Sequence, residues 1–283
     1  MSTMRFVITW AVLGLSLFVS GCVLTGFGGR IAANELAECE DFDPVLFETD
    51  LFFLKGWLKV REPSDVLTVF IEGDGRAWIN RRTPSLDPTP KVPTGFHLAV
   101  ADQAPAILYL ARPCQYVEDE ERKNCGLQWW TSGRFAPEVV QSMNEAIDQA
   151  LQITGATKVA LVGFSGGGAV ALLCAATRTD TVVVYTIAGN LDHKAWTDFH
   201  KISPLRGSLN PVNYTEVLKS IPQLHIVGEE DDAVPKETVE RYLNSVGADC
   251  ERNKICVETV KGAGHNYEWQ SVWSKMRKSY SFR

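Results

Sequence analysis

The sequence predicts an α/β domain, a mostly parallel central sheet flanked by helices, from two observations. Strand-like apolar runs alternate with helical stretches from about residue 44 onward, the pattern of parallel strands joined by crossover helices. Residues 158–173, K-V-A-L-V-G-F-S-G-G-G-A-V-A-L-L, then read in order as a buried strand, a glycine-framed serine and an apolar helix. The apolar run at 159–162 and the almost wholly apolar stretch at 169–176 suit a central strand with a helix packed behind it. A helical pattern over 135–151 precedes that strand and supplies its crossover.

Taken from the N-terminus, residues 1–21 read as a signal segment: Arg5 gives a positive start, and the apolar run 6–19 is too short for an ordinary membrane span. Residues 22–43 read as a tether and entry segment, and 44–283 as the domain. Residues 66–71 form a strand pattern that ends in E-G-D-G at 72–75. The proline-rich stretch 83–93 reads as a loop rimming a cleft beside Trp78. Trp129 and Trp130 read either as pocket lining or as simple packing. About thirty residues, 190–220, separate two strand patterns and carry Trp196, Phe199 and two prolines, which predicts a short cap. Strand patterns at 224–227 and 255–260 follow.

Removing residues 1–21 takes away one charged side chain, Arg5, and leaves 27 basic against 34 acidic groups, a net charge of −7, on 262 residues. That length suffices for one domain with a large core. The acidic balance without a basic tract argues against nucleic acid as a partner. No Cys or His spacing suits a metal, and no cofactor is expected.

Ser165 sits at the strand-to-helix corner, where Gly163 and Gly167 tolerate a strained backbone and close packing. A serine hydroxyl needs a base and a group that orients the base. His265 lies in a glycine-rich loop after the last strand pattern, whereas His225 sits inside a strand pattern and suits a structural role. Asp231 lies in the loop after the 224–227 strand, with Asp232 and Asp192 as alternative acids. The chain order Ser165, Asp231, His265 sets each residue after a different strand. For an oxyanion, the backbone N–H of Gly166 at the start of the helix and that of Asp74 in the loop after the 66–71 strand are the candidate donors.

With these features the chain resembles the α/β-hydrolase superfamily, closest to poorly characterised bacterial hydrolases that include many lipoproteins. The shared segments are I-E-G-D-G at 71–75, A-R-P-C-Q-Y at 111–116, G-F-S-G-G at 163–167, A-G-N-L-D at 188–192, G-E-E-D-D-A-V-P at 228–235 and G-H at 264–265. The resemblance implies the α/β-hydrolase fold, Ser165 as nucleophile, His265 as base and Asp231 as acid. It implies a serine hydrolase acting on a small or medium ester, thioester or amide, with a small-molecule or envelope-derived acyl substrate. A reading of another class is a catalytically silent adaptor on the same fold that binds cell-envelope components. Many lipases carry a histidine before the oxyanion glycine, where this chain has Glu72. Glu72 and Asp74 oppose negative charge at the site unless they point away or meet a cation. They could instead receive a cationic group such as the amine of an aminoacyl substrate.

Val19-Ser20-Gly21-Cys22 resembles a bacterial lipobox, which implies cleavage before Cys22 and lipid on its sulfur and new N-terminus. The plainer alternative is a secretory signal followed by an incidental cysteine. Val23 stands where aspartate would signal inner-membrane retention, so the resemblance favours the periplasmic face of an outer membrane. In such an oxidising compartment, Cys114 with Cys125, and Cys250 with Cys256, are expected to form local disulfides. Cys174 is expected as a buried free thiol, with Cys39 either paired to it or free.

Overall fold

The computed structural model describes residues 24–280. The predicted signal segment and Cys22 lie outside the described residues. Helix α1 (Leu24–Cys39) leads into strands β1 (Asp43–Glu48), β2 (Phe53–Val60) and β3 (Val66–Ile71), followed by the small hairpin β4 (Trp78–Asn80) and β5 (Thr83–Pro84). Helix α2 (Thr94–Ala101), β6 (Ala106–Leu110), α3 (Pro137–Thr154), β7 (Lys158–Phe164), α4 (Gly166–Thr177) and β8 (Thr181–Ile187) come next. The chain continues through α5 (His193–His200), α6 (Thr215–Leu218), β9 (Gln223–Gly228), α7 (Lys236–Val246), β10 (Ile255–Val260) and α8 (Trp269–Ser279).

Eight strands form one sheet in the order β1-β2-β6-β3-β7-β8-β9-β10. The pairs β1–β2 and β2–β6 are antiparallel, and from β6 to β10 every neighbour is parallel. The fold is therefore the mostly parallel α/β sheet that the alternating pattern predicts. After β3 the chain runs to β6 on one side and returns as β7 on the other, so the carboxyl ends of β3 and β7 flank a crevice at a switch point.

Side chains of β3 divide between the faces by strand alternation. Leu67, Val69 and Ile71 pack with Val139, Met143 and Ile147 of α3 and Val170 and Leu173 of α4. Phe70 packs on the opposite face with Phe96 of α2 and Trp273 of α8. Helix α3 buries one stripe, starts with Pro137 in its first turn and stops at Gly155, whose φ of 72° suits a left-handed cap. Helix α4 is buried almost throughout, as its apolar composition requires.

The stretch 83–93 needs correction, and the segments 22–43 and 190–220 take definite form. Much of residues 22–43, read as a tether, is helix α1, with Ala33 and Ala37 buried beside the α2 and α8 cluster; small residues at helical spacing let it seat on the domain. The stretch 83–93 is not all loop, because Thr83–Pro84 pairs with Trp78–Asn80. The predicted short cap is helical, but among the described residues none of 190–220 lines the cleft at Ser165. It turns to the Asp231 loop, where Trp196 Nε1 donates to the Ala233 carbonyl at 2.7 Å.

Candidate active site

Strand β7 delivers Ser165 to the middle of the sheet with φ 52° and ψ −121°. This is a conformation that costs a non-glycine residue on the order of 1–3 kcal/mol and persists only where its surroundings fix it. Here Ser165 N donates to Ile187 O at 2.9 Å, and Ser165 O accepts from Gly168 N at 3.0 Å and Asn190 N at 3.1 Å. Glycine is required on both sides: a Cβ at Gly163 would stand 2.2 Å from Gly167 O, and one at Gly167 would stand 2.3 Å from Ile71 O.

The loop after β9 brings Asp231 to His265, which follows β10. Asp231 Oδ2 lies 2.8 Å from His265 Nδ1, and His265 Nε2 lies 3.0 Å from Ser165 Oγ. The other carboxylate oxygen, Oδ1, accepts from Ala233 N at 3.0 Å and Val234 N at 2.8 Å, so the buried acid is held by its own loop. Trp269 Nε1 donates to the His265 carbonyl at 2.9 Å, and the imidazole packs on the Phe164 ring at 5.3 Å between centroids. A proton on Nδ1 directed at Asp231 leaves the Nε2 lone pair facing the serine hydroxyl.

The alternative acids stand elsewhere. Asp232 is exposed. Asp192 is buried and caps α5, accepting from Lys194 N at 3.1 Å, Ala195 N at 3.2 Å and Asn210 Nδ2 at 2.8 Å. His225 is a structural histidine: Thr186 Oγ1 lies 2.8 Å from its Nδ1 and Gln223 Oε1 lies 3.0 Å from its Nε2. Burial pulls its pKa down to about 3.

The exit of β3 comes against the serine, since a Cβ on Gly73 would lie 3.3 Å from Ser165 Cβ. Gly166 opens α4 and its N–H belongs to the first turn, where donors lack intrahelical partners. The Asp74 carboxylate lies over Gly166, whose added Cβ would meet Asp74 Oδ1 at 2.1 Å.

Both acids near the site have partners within the protein, which meets the condition that they point away or face a cation. Glu72 is buried; its carboxylate accepts from Gly73 N at 2.8 Å, Gly95 N at 3.0 Å and Tyr109 OH at 2.7 Å. Burial raises its pKa above the ordinary carboxylate value, and these hydrogen bonds offset part of that rise. Asp74 already meets two guanidinium groups, Arg134 Nη1 at 2.5 Å and Arg112 Nη1 at 3.4 Å. Arg112 also donates to the Arg134 carbonyl. The sequence reading missed both arginines in this role. Arg112 lies in the quoted A-R-P-C-Q-Y segment, while nothing local singles out Arg134.

Ser165 and His265 open into a cleft of about 440 Å³, with Trp78, Lys91, Val92 and Asn266 on its walls. Trp129 and Trp130 serve packing instead: Trp129 meets Phe52 edge-on at 5.4 Å, and Trp130 Nε1 donates to Ser85 O at 3.0 Å. Disulfides join Cys114 to Cys125 and Cys250 to Cys256. Cys39 is free and exposed; Cys174 is free and buried, its thiol pushed up to about 12 by burial.

Residues 37–255 match the family described as Serine hydrolase (FSH1). The chain belongs to that family. No curated protein sequence matches the chain. Among solved structures, this FSH1-family chain is similar to Est1E from Butyrivibrio proteoclasticus, with TM-score 0.59 and 13% identity over 84% of this chain and 98% of that one. The Pyrococcus furiosus esterase Pf2001 gives TM-score 0.60 and 13% identity over 86% and 95%. XC6422 from Xanthomonas campestris, described as an α/β serine hydrolase without lid, gives 0.55 and 11% over 86% and 96%. At these identities the likeness shows the fold, and the family match shows a serine hydrolase.

Proposed function

We propose that this serine hydrolase cleaves a small or medium ester, thioester or amide through an acyl-enzyme, with Ser165 as nucleophile, His265 as base and Asp231 as acid. The observation that carries the reading is the unbroken run of hydrogen bonds from Asp231 through His265 to Ser165 Oγ. Ser165 Oγ attacks the carbonyl carbon while its proton passes to His265 Nε2. Asp231 holds the tautomer that accepts it and stabilises the imidazolium. The backbone N–H groups of Gly166 and Asp74 receive the developing oxyanion. His265 then gives its proton to the leaving group, and a water deprotonated by the same imidazole hydrolyses the acyl-serine to release the acid.

The proposal includes a membrane tether on the periplasmic face of the outer membrane. Its support is the lipobox-like run ending at Cys22 and the two disulfides, which suit an oxidising compartment. No helix among the described residues is long and apolar enough to cross a membrane.

Turnover of short-chain 4-nitrophenyl esters by the full chain tests the catalytic assignment. Ser165→Ala is expected to lower turnover by roughly a thousandfold or more while stability changes by less than about 1 kcal/mol. Full activity in that variant would remove the assignment.

A further inference from the structure

The segment from Arg76 to Val92 is basic within an acidic chain. Four large apolar side chains stand in solvent there: Trp78 43%, Ile79 50%, Leu86 77% and Val92 63% exposed. The same segment carries Arg76, Arg81, Arg82 and Lys91 against a single acid, Asp87. Asp87 is neutralised by Arg30 of α1 at 2.9 Å. None of the four segment cations has an ion pair through its side chain among the described residues. A chain of net charge −6 thus concentrates unpaired positive charge and exposed apolar surface on one seventeen-residue stretch.

We infer that this segment docks on the surface of an anionic lipid bilayer, so that the Ser165 cleft opens against the membrane. Trp at the headgroup level, aliphatic side chains below it and Arg or Lys facing anionic headgroups are the composition of an interfacial surface. Basic residues near such a surface are attracted to its anionic headgroups. Trp78, Arg76, Lys91 and Val92 line the cleft, but Ile79, Arg81, Arg82 and Leu86 do not. The segment therefore carries exposed apolar and basic side chains beyond those that line the cleft. A second copy of the chain fits less well, because a two-fold contact through this patch would set four cations against four.

The route of the chain agrees. Helix α1 lies so close to the segment that a Cβ on Gly29 would stand 2.2 Å from Pro90 O. Leu24, where the described residues begin, is about 8 Å along the helix from Gly29. The apolar run and Cys22 precede it directly in sequence, so a tether and the docking segment would act at one place. The inference rests on reading the Ser165 cleft as the site of turnover, and it favours an amphiphilic ester whose acyl chain is drawn from the bilayer.

The test reconstitutes the full chain in vesicles containing brominated phosphatidylglycerol and compares tryptophan quenching of the wild type with that of Trp78→Phe. The difference isolates Trp78 from the other tryptophans. Wild type is expected to be quenched more than Trp78→Phe. That excess is expected to be lost in Arg81→Gln/Arg82→Gln, and to shrink as salt rises well above ~0.1 M, where the Debye length is about 10 Å. Ser165→Ala is expected to keep the full excess, so loss of turnover and loss of docking are separable results. Equal quenching of wild type and Trp78→Phe would overturn the inference. So would a dimer in dilute detergent that Ile79→Ser/Leu86→Ser converts to monomer without any Trp78 quenching, which would assign the patch to a second copy.

Discussion

Asp74 is the residue at which charge and backbone meet most closely in this site. Its carboxylate is tied to Arg112 and Arg134, whose side chains are 5% and 6% exposed, and its backbone N–H is one of the two oxyanion donors proposed above. Removing one member of such a group leaves the others buried without compensation, which costs about 3–5 kcal/mol. Asp74→Ala should therefore lose stability on that order in chemical denaturation, and Asp74→Asn, which keeps the hydrogen-bond acceptor, should lose less. His225 gives a second expectation. It is neutral when folded down to about pH 3, whereas the unfolded imidazole takes up a proton near pH 6.5. Between those values the unfolded state binds more protons, so stability rises with pH and is lost as pH falls from 6.5 toward 3, by up to ~1.4 kcal/mol per unit. A series of denaturation curves across that window should show the slope, and His225→Gln should flatten it.

Element by element, the site depends on where three parallel strands end. Strand β7 fixes Ser165, β9 fixes the Asp231 loop, and β10 pairs with β9 from Ile255↔Gln223 to Val260↔Gly228 before the chain turns to His265. Cys256 stands second in β10 and is bonded to Cys250, so this disulfide pins the start of the strand that carries the histidine. A loop of this size closed by a disulfide contributes on the order of 2–3 kcal/mol. Cys250→Ser/Cys256→Ser should lower stability by about that amount in urea unfolding. Because the histidine loop is approached through β10, ester turnover should fall further than in Cys114→Ser/Cys125→Ser, whose bridge lies outside that strand.

For the molecule as a whole, the parts legible in the sequence are those governed by local pattern. The strand, serine corner and helix at 158–173 specify the centre of the sheet, because apolar runs and obligatory glycines leave little choice of structure. The paired cysteines separated by 11 and 6 positions are local as well. Contacts across the chain were legible where motifs mark both ends, as for Ser165, Asp231 and His265, but not where no motif marks the partner. Arg134 reaches Asp74 over 60 positions, and Glu72 finds Tyr109 over 37. Acids that looked available to a ligand are thus satisfied within the protein. Helix α1 was hidden for another reason: its few small apolar residues carry a weak signal, and burial against the domain decides its place. On the proposed mechanism Ser165 is activated by His265 and Asp231. Fluorophosphonate labelling of the full chain, with the adduct located by tandem mass spectrometry, tests it most directly. The adduct is expected on Ser165 in the wild type and strongly reduced in His265→Ala. An adduct on another residue, or undiminished labelling of Ser165→Ala, would remove Ser165 as the nucleophile.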